Sequence, residues 1–185
     1  MMLLTLAITG VKAQTKGNGN VTTQERQVSS FDAINVGCAI HLYLSQGDKQ
    51  SVKVETDENL QGKIVTKVNN GTLNLSCDNI RDAVKMNIYV TAVNLSKLDA
   101  SGASKVTGQT PLKSEEFQLY ASGAAKTNLS IETGIFTNET SGAAKNTLNL
   151  KAKNANTEVS GAGILTLKGT ADKHDTEISG AGNLN

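Results

Sequence analysis

Short stretches in the first half of the chain alternate between apolar and polar residues. In AIHLYL, at residues 39–44, the aliphatic side chains fall on one face of an extended strand, and His41 and Tyr43 fall on the other. SVKVET and TLNLS show the same alternation, and the turn signals SQGDK and NNG separate such stretches. TDENLQGKIVTKV leaves room for one helical turn at most. The pattern therefore predicts successive β-strands from residue 31 to about residue 93.

From residue 99 onward, the tripeptide Ser-Gly-Ala recurs with a nearly constant period. The five copies begin at Ser101, Ser122, Ser141, Ser160 and Ser179, so successive starts differ by 21 residues once and by 19 residues three times. Internal periods of about this size are typical of solenoids, in which each repeat forms one coil. We therefore expect the chain from about residue 95 to residue 185 to form stacked coils of about 19 residues.

The repeats also align apolar residues in columns. Leu stands seven residues after the Ser in three copies, and an aliphatic residue or Thr stands directly before the Ser in all five. These positions alternate with polar ones, as in strands that bury one face. The columns are Leu129, Leu148 and Leu167, and Ala100, Ala121, Thr140, Val159 and Ile178. The columns predict one continuous aliphatic core.

The tripeptide itself is predicted to be a structural corner between two strands of each coil. Gly permits backbone angles, or a close approach of coils, that a Cβ would prevent. We expect the Ala to keep the inside of the corner narrow, and the Ser hydroxyl to bond the backbone or the Ser one coil away. Gly134, which lies outside this column, is expected to be more tolerant of substitution than Gly142. The corner residues are Ser101, Gly102, Ala103, Ser122, Gly123, Ala124, Ser141, Gly142, Ala143, Ser160, Gly161, Ala162, Ser179, Gly180 and Ala181.

Two outward columns carry charge and form a possible binding face. One column lies two residues before the Ser and the other lies four residues after it. They contain Asp99, Tyr120, Glu139, Glu158 and Glu177, and Lys105, Lys126 and Lys145. The acidic column is either a solvated face balanced by Lys151, Lys153 and Lys173, or a site for Ca²⁺ or a glycan. Because the Gly-Gly-x-Gly-x-Asp repeats of calcium β-rolls are absent, no metal or cofactor is predicted.

Composition narrows the possible functions further. Three Tyr, three Phe and no Trp predict a thin core of aliphatic residues. The 18 Lys and Arg residues nearly balance the 17 Asp and Glu residues and form no run of like charge. This balance lacks the basic footprint of a nucleic-acid-binding domain, so no nucleic-acid partner is predicted.

The N-terminal MMLLTLAITGVKAQ has the features of an export signal. Its apolar run, Leu3 to Val11, is too short to span a bilayer, so no transmembrane segment is predicted in the mature chain. A buried strand of the mature domain is the alternative interpretation. The missing basic start suggests that Met1 lies inside a longer signal. We assign the signal to residues 1–13 and a flexible linker, on the composition of TKGNGN, to residues 14–27.

Two cysteines, Cys38 and Cys77, permit a disulfide in an exported chain, although each could equally be a small buried hydrophobe in a strand. Cys38 and His41 form a Cys-x-x-His sequence. On a strand this spacing directs the two side chains to opposite faces, and no second pair of ligands follows. The sequence predicts no metal site there and leaves the disulfide open.

The chain resembles a known protein family. VSSFDAINVGCAIHLYLSQGDKQSVKVETDENLQGKIVTKVNNGTLNLS, followed by MNIYVTAVNLSKLDASGASKV and the Ser-Gly-Ala repeats, resembles the bacterial family described as putative auto-transporter adhesin, head GIN domain. The resemblance covers residues 28–185. It implies an exported all-β domain of a Gram-negative, Bacteroidetes-type bacterium, periplasmic or at the cell surface, ending in a right-handed single-stranded β-helix. It supplies no catalytic residues.

Two functions fit these observations. The first is a non-catalytic binding or structural domain of the cell envelope whose partner is a glycan or an envelope protein. The second is an envelope carbohydrate-active enzyme on a β-helix scaffold. A catalytic set could be assembled only from a Ser with His174 and Asp175, and no nucleophile elbow accompanies them. The sequence therefore favours the first function and predicts no catalytic residue.

The last copy of the tripeptide is followed by only four residues. Because solenoids normally cover their final coil with an atypical repeat, we expect an incomplete C-terminal coil. An uncovered coil with Leu165, Leu167 and Ile178 at its edge would favour self-association.

Overall fold

Strands account for nearly all the regular structure of this protein. The computed structural model describes residues 14–185; residues 1–13, where the export signal is predicted, lie outside the described residues. The described strands are β1 (Thr15–Lys16), β2 (Val21–Glu25), β3 (Ala33–Val36), β4 (His41–Gln46), β5 (Ser51–Asp57), β6 (Ile64–Asn69), β7 (Thr72–Cys77), β8 (Ile80–Arg81), β9 (Met86–Ala92), β10 (Lys97–Ala100), β11 (Lys105–Gly108), β12 (Leu112–Ala121), β13 (Lys126–Thr140), β14 (Lys145–Val159), β15 (Ile164–Ile178) and β16 (Asn183–Leu184). One 3₁₀ helix, Glu58–Lys63, occupies the place where the sequence allowed a single helical turn.

Parallel pairing between successive repeats organises the C-terminal half. β13 pairs with β14, and β14 with β15, so that each residue lies beside the residue 19 positions later, as Leu129 lies beside Leu148 and Leu148 beside Leu167. The residues directly before each Ser also form a continuous row, from Ala100 to Ile178. The predicted columns are therefore rows of hydrogen-bonded neighbours.

The sheet curls because a long strand pairs, along one edge, with two different shorter strands. β13 pairs with β11 through its first residues and with β12 through most of its length. Two arms of the sheet meet there: β2-β5-β9-β4-β11 on one side and β6-β7-β3-β10-β12 on the other. The result is an all-β fold with a sheet curled like half a barrel.

Antiparallel strands cover the end of the sheet that is nearest the N-terminus. β6 pairs antiparallel with β7, and β5 pairs antiparallel with both β9 and β2. Residues 14–27, expected to be a flexible linker, contain β1, paired with β8, and β2, paired with β5. They differ from the expectation because the β-branched residues of VTTQE suit a strand at the edge of the sheet, whereas composition alone suggested a linker.

The interior is largely aliphatic, as the composition predicted, but it contains a network of hydrogen-bonded polar side chains. Thr127 Oγ1 donates to Asn146 Oδ1 at 2.6 Å, and Asn146 Nδ2 donates to Thr140 Oγ1 at 2.7 Å. Thr140 Oγ1 then donates to Asn138 Oδ1 at 2.9 Å. All four side chains are buried. Because each of them has a partner, their burial avoids the cost of about 1–3 kcal/mol for an unsatisfied polar group.

The other end of the sheet is formed by β15. Within the described residues, β15 has β16 beside it only at Ile164 and Leu165, and residues 168–178 pair with β14 alone. No helix among residues 14–185 is both long and apolar enough to cross a membrane.

Candidate functional site

Each Ser-Gly-Ala tripeptide forms the same turn between two strands. The five glycines have φ between 64° and 68°, in the left-handed region. In the middle copy, the Ala144 N–H donates to the Ser141 carbonyl at 3.2 Å, which closes a four-residue turn of type II′. A Cβ on Gly142 would lie 3.0 Å from the carbonyl oxygen of Gly123 in the preceding repeat. Gly is therefore required both by the backbone angle and by the stacking of the turns.

The Ala side chain of the tripeptide faces solvent, which corrects the expectation that it keeps the inside of the corner narrow. All five alanines are exposed, namely Ala103, Ala124, Ala143, Ala162 and Ala181. The next residue faces the core instead, and Ser104, Ala125, Ala144 and Gly163 are buried. The turn reverses which side of the chain faces inward, so the small residue that the corner needs stands one position later than expected.

The Ser hydroxyls also differ from the expectation. Among the described residues no Ser hydroxyl bonds the Ser of the next repeat, and Ser101 Oγ, which donates to the Val36 carbonyl at 3.4 Å, is the one corner hydroxyl with a partner. The backbone N–H provides the link between repeats: that of Ser141 donates to the Ala121 carbonyl at 2.9 Å.

A further turn of this kind lies at residues 37–39, and sequence reasoning missed it. This turn is in register with the turn at 101–103, because β3 and β4 pair in parallel with β10 and β11. Cys38 stands in the place of the corner Gly and has φ 60°. Its backbone carbonyl accepts a hydrogen bond from the Ala103 N–H at 2.8 Å. A left-handed non-Gly residue costs about 1–2 kcal/mol, which some other interaction must offset. The missed signal was the placement of apolar residues one and three positions before the turn, at Val36 and Ile34 here and at Ala100 and Leu98 in the first Ser-Gly-Ala repeat.

Cys38 and Cys77 form a disulfide, with their Cα atoms 6.1 Å apart. This answers the question that the sequence left open. Cys77 is the last residue of β7, which pairs with β3, so the bridge fastens the turn at 37–39 to the adjacent strand. Structural disulfides persist in oxidising compartments, which agrees with an exported protein.

The acidic column lies along one outward face of the sheet. Asp99, Tyr120, Glu139, Glu158 and Glu177 are neighbours on successive strands. Within residues 14–185, no ion pair reaches the three Glu side chains. The described part of the chain also contains no group of three His, Cys, Asp or Glu side chains arranged for a metal ion. Glu139, Glu158 and Glu177 are exposed, whereas Asp99 and Tyr120 are half-buried.

Among the described residues, the lysines expected to balance the acidic column form no ion pair with its Glu side chains. Lys173 pairs with Asp175 at 2.7 Å. Lys151 is the neighbour of Glu132, whose carboxylate pairs with Lys113 at 3.3 Å. Lys97 holds its ammonium 4.7 Å from the centre of the Tyr120 ring, where it forms a cation–π contact.

The basic column lies on the sheet at the other side of the turns. Lys105, Lys126 and Lys145 are exposed neighbours on β11, β13 and β14. The row next to them, two residues further along each strand, contains Thr107, Asn128 and Thr147. The turns thus separate a row of cations from a row of carboxylates.

Both rows of the basic face continue into an aromatic cluster on β4 and β9. His41 pairs with Lys105, and Tyr43 pairs with Thr107 and with Tyr89. The rings of Tyr43 and Tyr89 stack with centroids 4.8 Å apart, and that of His41 stacks on Tyr43 at 4.0 Å. Burial and the Lys105 charge both lower the pKa of His41. His41 Nε2 lies 3.0 Å from Thr107 Oγ1.

Glu55 fixes the edge of this cluster. Its carboxylate accepts hydrogen bonds from Lys85 Nζ at 2.7 Å, Asn87 Nδ2 at 2.8 Å and the Tyr89 hydroxyl at 2.9 Å. The Lys85 bond, followed by the Asn87 bond, lowers the pKa of Glu55 to about 2. The same carboxylate raises the pKa of Lys85. Burial, followed by the hydrogen bond to Glu55, raises the pKa of Tyr89.

The residues of the alternative catalytic set do not meet as a triad. His174 Nε2 lies 2.9 Å from the hydroxyls of both Thr157 and Thr176, and Asp175 pairs with Lys173. Thr hydroxyls without a strong base and an oriented carboxylate are poor nucleophiles. This cluster gives no support to the alternative function, a carbohydrate-active enzyme.

Comparison with sequence families matched residues 30–185 to the family described as putative auto-transporter adhesin, head GIN domain. The chain belongs to the head GIN domain family. The resemblance predicted from the repeats is thereby confirmed. A comparison with curated proteins found no match.

Solved structures share the fold of this head GIN domain. A putative adhesin from Parabacteroides distasonis is 23% identical with a TM-score of 0.88, and covers 93% of this chain and 75% of its own. A putative adhesin from Bacteroides fragilis is 17% identical with a TM-score of 0.74, and covers 92% of this chain and 98% of its own. A putative lipid binding protein from P. distasonis is 18% identical with a TM-score of 0.59, and covers 93% of this chain and 99% of its own. At these identities the likeness establishes the fold alone.

The aromatic cluster of this head GIN domain was not predicted from its sequence. Tyr43 was recognised only as an outward residue, and Glu55 and Tyr89 were not singled out. The three residues come from separate strands, and β5 and β9 pair antiparallel across an intervening hairpin. No period connects them, so sequence spacing held no signal for their contact.

Proposed function

We propose that this domain is a non-catalytic binding module of the bacterial cell envelope with an adhesin-like role. The observation that carries the proposal is the pair of outward charged rows, held in register over successive strands. Such rows present the same groups at the strand spacing of about 4.8 Å, which suits an extended partner better than a small substrate. The adhesin names of the family and of the structural neighbours support the proposal.

We propose that the partner is a glycan or an envelope protein and that the domain is exported to the periplasm or the cell surface. The Cys38–Cys77 disulfide supports export, because cytoplasmic thiols are kept reduced. The apolar run in residues 1–13 supports it as well.

We further propose that the repeats wind as a right-handed single-stranded β-helix with coils of 19 residues. The parallel pairing of β13, β14 and β15 at an offset of 19 residues supports this architecture. Connections between parallel strands of one sheet are right-handed in nearly all proteins, which supports the handedness.

A glycan array screened beside a turnover assay on the same polysaccharides tests the binding function. We expect the full chain to bind at least one glycan class and to release no product from it. Release of oligosaccharides, retained after the protein is purified to homogeneity by two independent routes, would replace the binding module with the carbohydrate-active enzyme. Failure to bind any glycan would direct the search to envelope proteins.

A further inference from the structure

The row of lysines on β11, β13 and β14 has no neutralising partner within the described residues. Lys105, Lys126 and Lys145 are exposed and stand on adjacent strands, so their backbones are about 4.8 Å apart. No ion pair among residues 14–185 includes any of the three. Since the whole chain has a net charge of only +1, this row is a local concentration of charge and not part of a generally basic surface.

The surroundings of the lysine row are mainly polar, although Ile164 on β15 lies beside Lys145. Thr107, Asn128 and Thr147 form the adjacent row, and Ser130 and Asn149 form the start of the next. These short side chains can donate and accept hydrogen bonds, and the largest apolar group among them is the methyl of a Thr. A protein interface normally has an apolar core, and a membrane-binding face needs apolar side chains that enter the lipid. The face therefore suits a partner that is itself hydrogen-bonding, charged and extended.

The aromatic cluster adds a different kind of contact to the same rows. Tyr89 and Tyr43 directly continue the row of Thr107, Asn128 and Thr147. Tyr89 is 39% exposed, and the Glu55 carboxylate fixes its hydroxyl at 2.9 Å. A held aromatic ring offers an apolar surface beside a polar edge. The C–H groups of a sugar ring pack on such a surface while the sugar hydroxyls bond the polar neighbours.

We propose that this face binds an acidic polysaccharide, with the polymer running across the strands so that successive sugar carboxylates meet Lys105, Lys126 and Lys145 and a terminal sugar meets the exposed Tyr89 ring. The inference rests on the proposed binding function and names its ligand class. A linear uronic-acid polymer carries one carboxylate on each sugar, which matches one ammonium on each strand. The acidic column lies beyond the turns on a separate face, and the Glu55 carboxylate beside Tyr89 is paired with Lys85.

Titration of the full chain with alginate oligosaccharides tests the proposal, with neutral dextran oligosaccharides and polyglutamate of equal charge as comparison probes. We expect alginate to bind, dextran to bind much more weakly, and alginate binding to fall by about tenfold or more between about 30 mM and about 300 mM NaCl, because salt screens exposed charges. The variant K105Q/K126Q/K145Q should lose about tenfold or more in affinity for alginate, which corresponds to about 1.4 kcal/mol or more.

The matched control is K49Q/K67Q/K153Q, which removes the same charge from three exposed lysines on other surfaces. It should change alginate affinity by less than about twofold, since distant exposed charges are screened. Tyr89→Thr should weaken alginate binding without changing its salt dependence, because the lost contact is uncharged. Melting temperatures of all variants establish that the fold is retained.

Three results would overturn the inference. Equal alginate binding by the wild type and K105Q/K126Q/K145Q would remove the lysine row from the site. Equal affinity for polyglutamate, with the same dependence on these lysines, would make the ligand an acidic peptide. Self-association of the wild type that the triple variant abolishes would make the occupant the acidic column of a second copy. If array glycans still bind while alginate does not, the binding function stands and only this ligand assignment fails.

Discussion

A side chain at a turn glycine meets two separate costs. At Gly142 the backbone has φ 65°, and a Cβ would lie 3.0 Å from the Gly123 carbonyl oxygen and 3.1 Å from its nitrogen. The first cost belongs to the residue itself and the second to the stacking of neighbouring turns. Gly134 has no left-handed φ, yet a Cβ there would lie 2.8 Å from the Glu115 carbonyl oxygen. A side chain at Gly134 therefore meets only the second of these costs, from the close approach of the neighbouring strand, and its greater tolerance relative to Gly142 stays a prediction.

Gly142→Val should destabilise the domain by about 1–3 kcal/mol, since strained backbone conformations cost this much and the contact with Gly123 adds to it. Chemical denaturation of both proteins measures the change. Gly62→Val is the control, because Gly62 has no left-handed φ and a Cβ there meets nothing within 4 Å. A Gly142→Val protein as stable as the wild type would show that the turns do not need Gly.

Glu55 should make stability depend on pH in the acid range. Its pKa is lowered from 4.5 to about 2 in the folded protein, chiefly by the hydrogen bond from Lys85. A lowered folded pKa stabilises the protein above the unfolded pKa, and this contribution is lost as pH falls from about 4.5 towards about 2. Glu55→Gln should therefore be less stable than the wild type at neutral pH, and the difference in unfolding free energy should become small as the pH approaches about 2. Denaturant unfolding of both proteins across this range measures the difference, and a constant difference would contradict the assignment.

At the scale of strands and turns, the repeats could be predicted and the N-terminal pairings could not. The rows through Leu129 and Glu139 follow from the period, because residues one period apart become neighbours in parallel strands. The order β7-β3-β10 does not follow, since β7 comes after β3 in the chain but lies on its outer side. The turn at Cys38 could not be found by matching the repeat. Its residues, Gly37, Cys38 and Ala39, adopt the conformation of the later turns but differ from them in residue type.

The Cys38–Cys77 bridge should stabilise the domain, and the turn should determine which replacement costs least. Closing a loop of 39 residues is worth about 4 kcal/mol on chain-entropy estimates. Both C38A/C77A and C38G/C77A should therefore be less stable than the oxidised wild type. The Gly variant should be the more stable of the two by about 1 kcal/mol, because φ at position 38 is 60°. Thermal unfolding ranks the three proteins, and an Ala variant at least as stable as the Gly variant would show that residue 38 is not a turn of the repeated kind.

At the scale of the whole molecule, the turns divide the surface as well as connecting the strands. Positions two before and four after each Ser lie on opposite sides of the turn, so the carboxylates of one row and the ammonium groups of the other never meet. The chain is nearly neutral, yet each face has a definite sign. The sequence showed both columns, but which neighbours neutralise them depends on side-chain positions that spacing does not encode, as with Lys151 and Lys173.

Removing one whole repeat should preserve the fold. In the variant lacking residues 142–160, Ser141 is joined to Gly161, so the turn sequence is kept and β15 takes the place of β14 beside β13 in register. Stacked repeats contribute to stability nearly independently, so the shorter protein should unfold cooperatively at a lower temperature. Loss of Asn146 also leaves the buried Thr127 hydroxyl without its partner, at about 1–3 kcal/mol.

The control deletion lacks residues 142–155, removes fewer residues, and joins Ser141 to Asn156. It shifts every later position out of register, so apolar side chains of β15 would turn toward solvent and the turn glycine would be lost. Far-ultraviolet circular dichroism and thermal unfolding compare the two. A native-like spectrum with a cooperative transition is expected for the 19-residue deletion and loss of both for the smaller one. Equal behaviour of the two deletions would contradict a 19-residue structural unit.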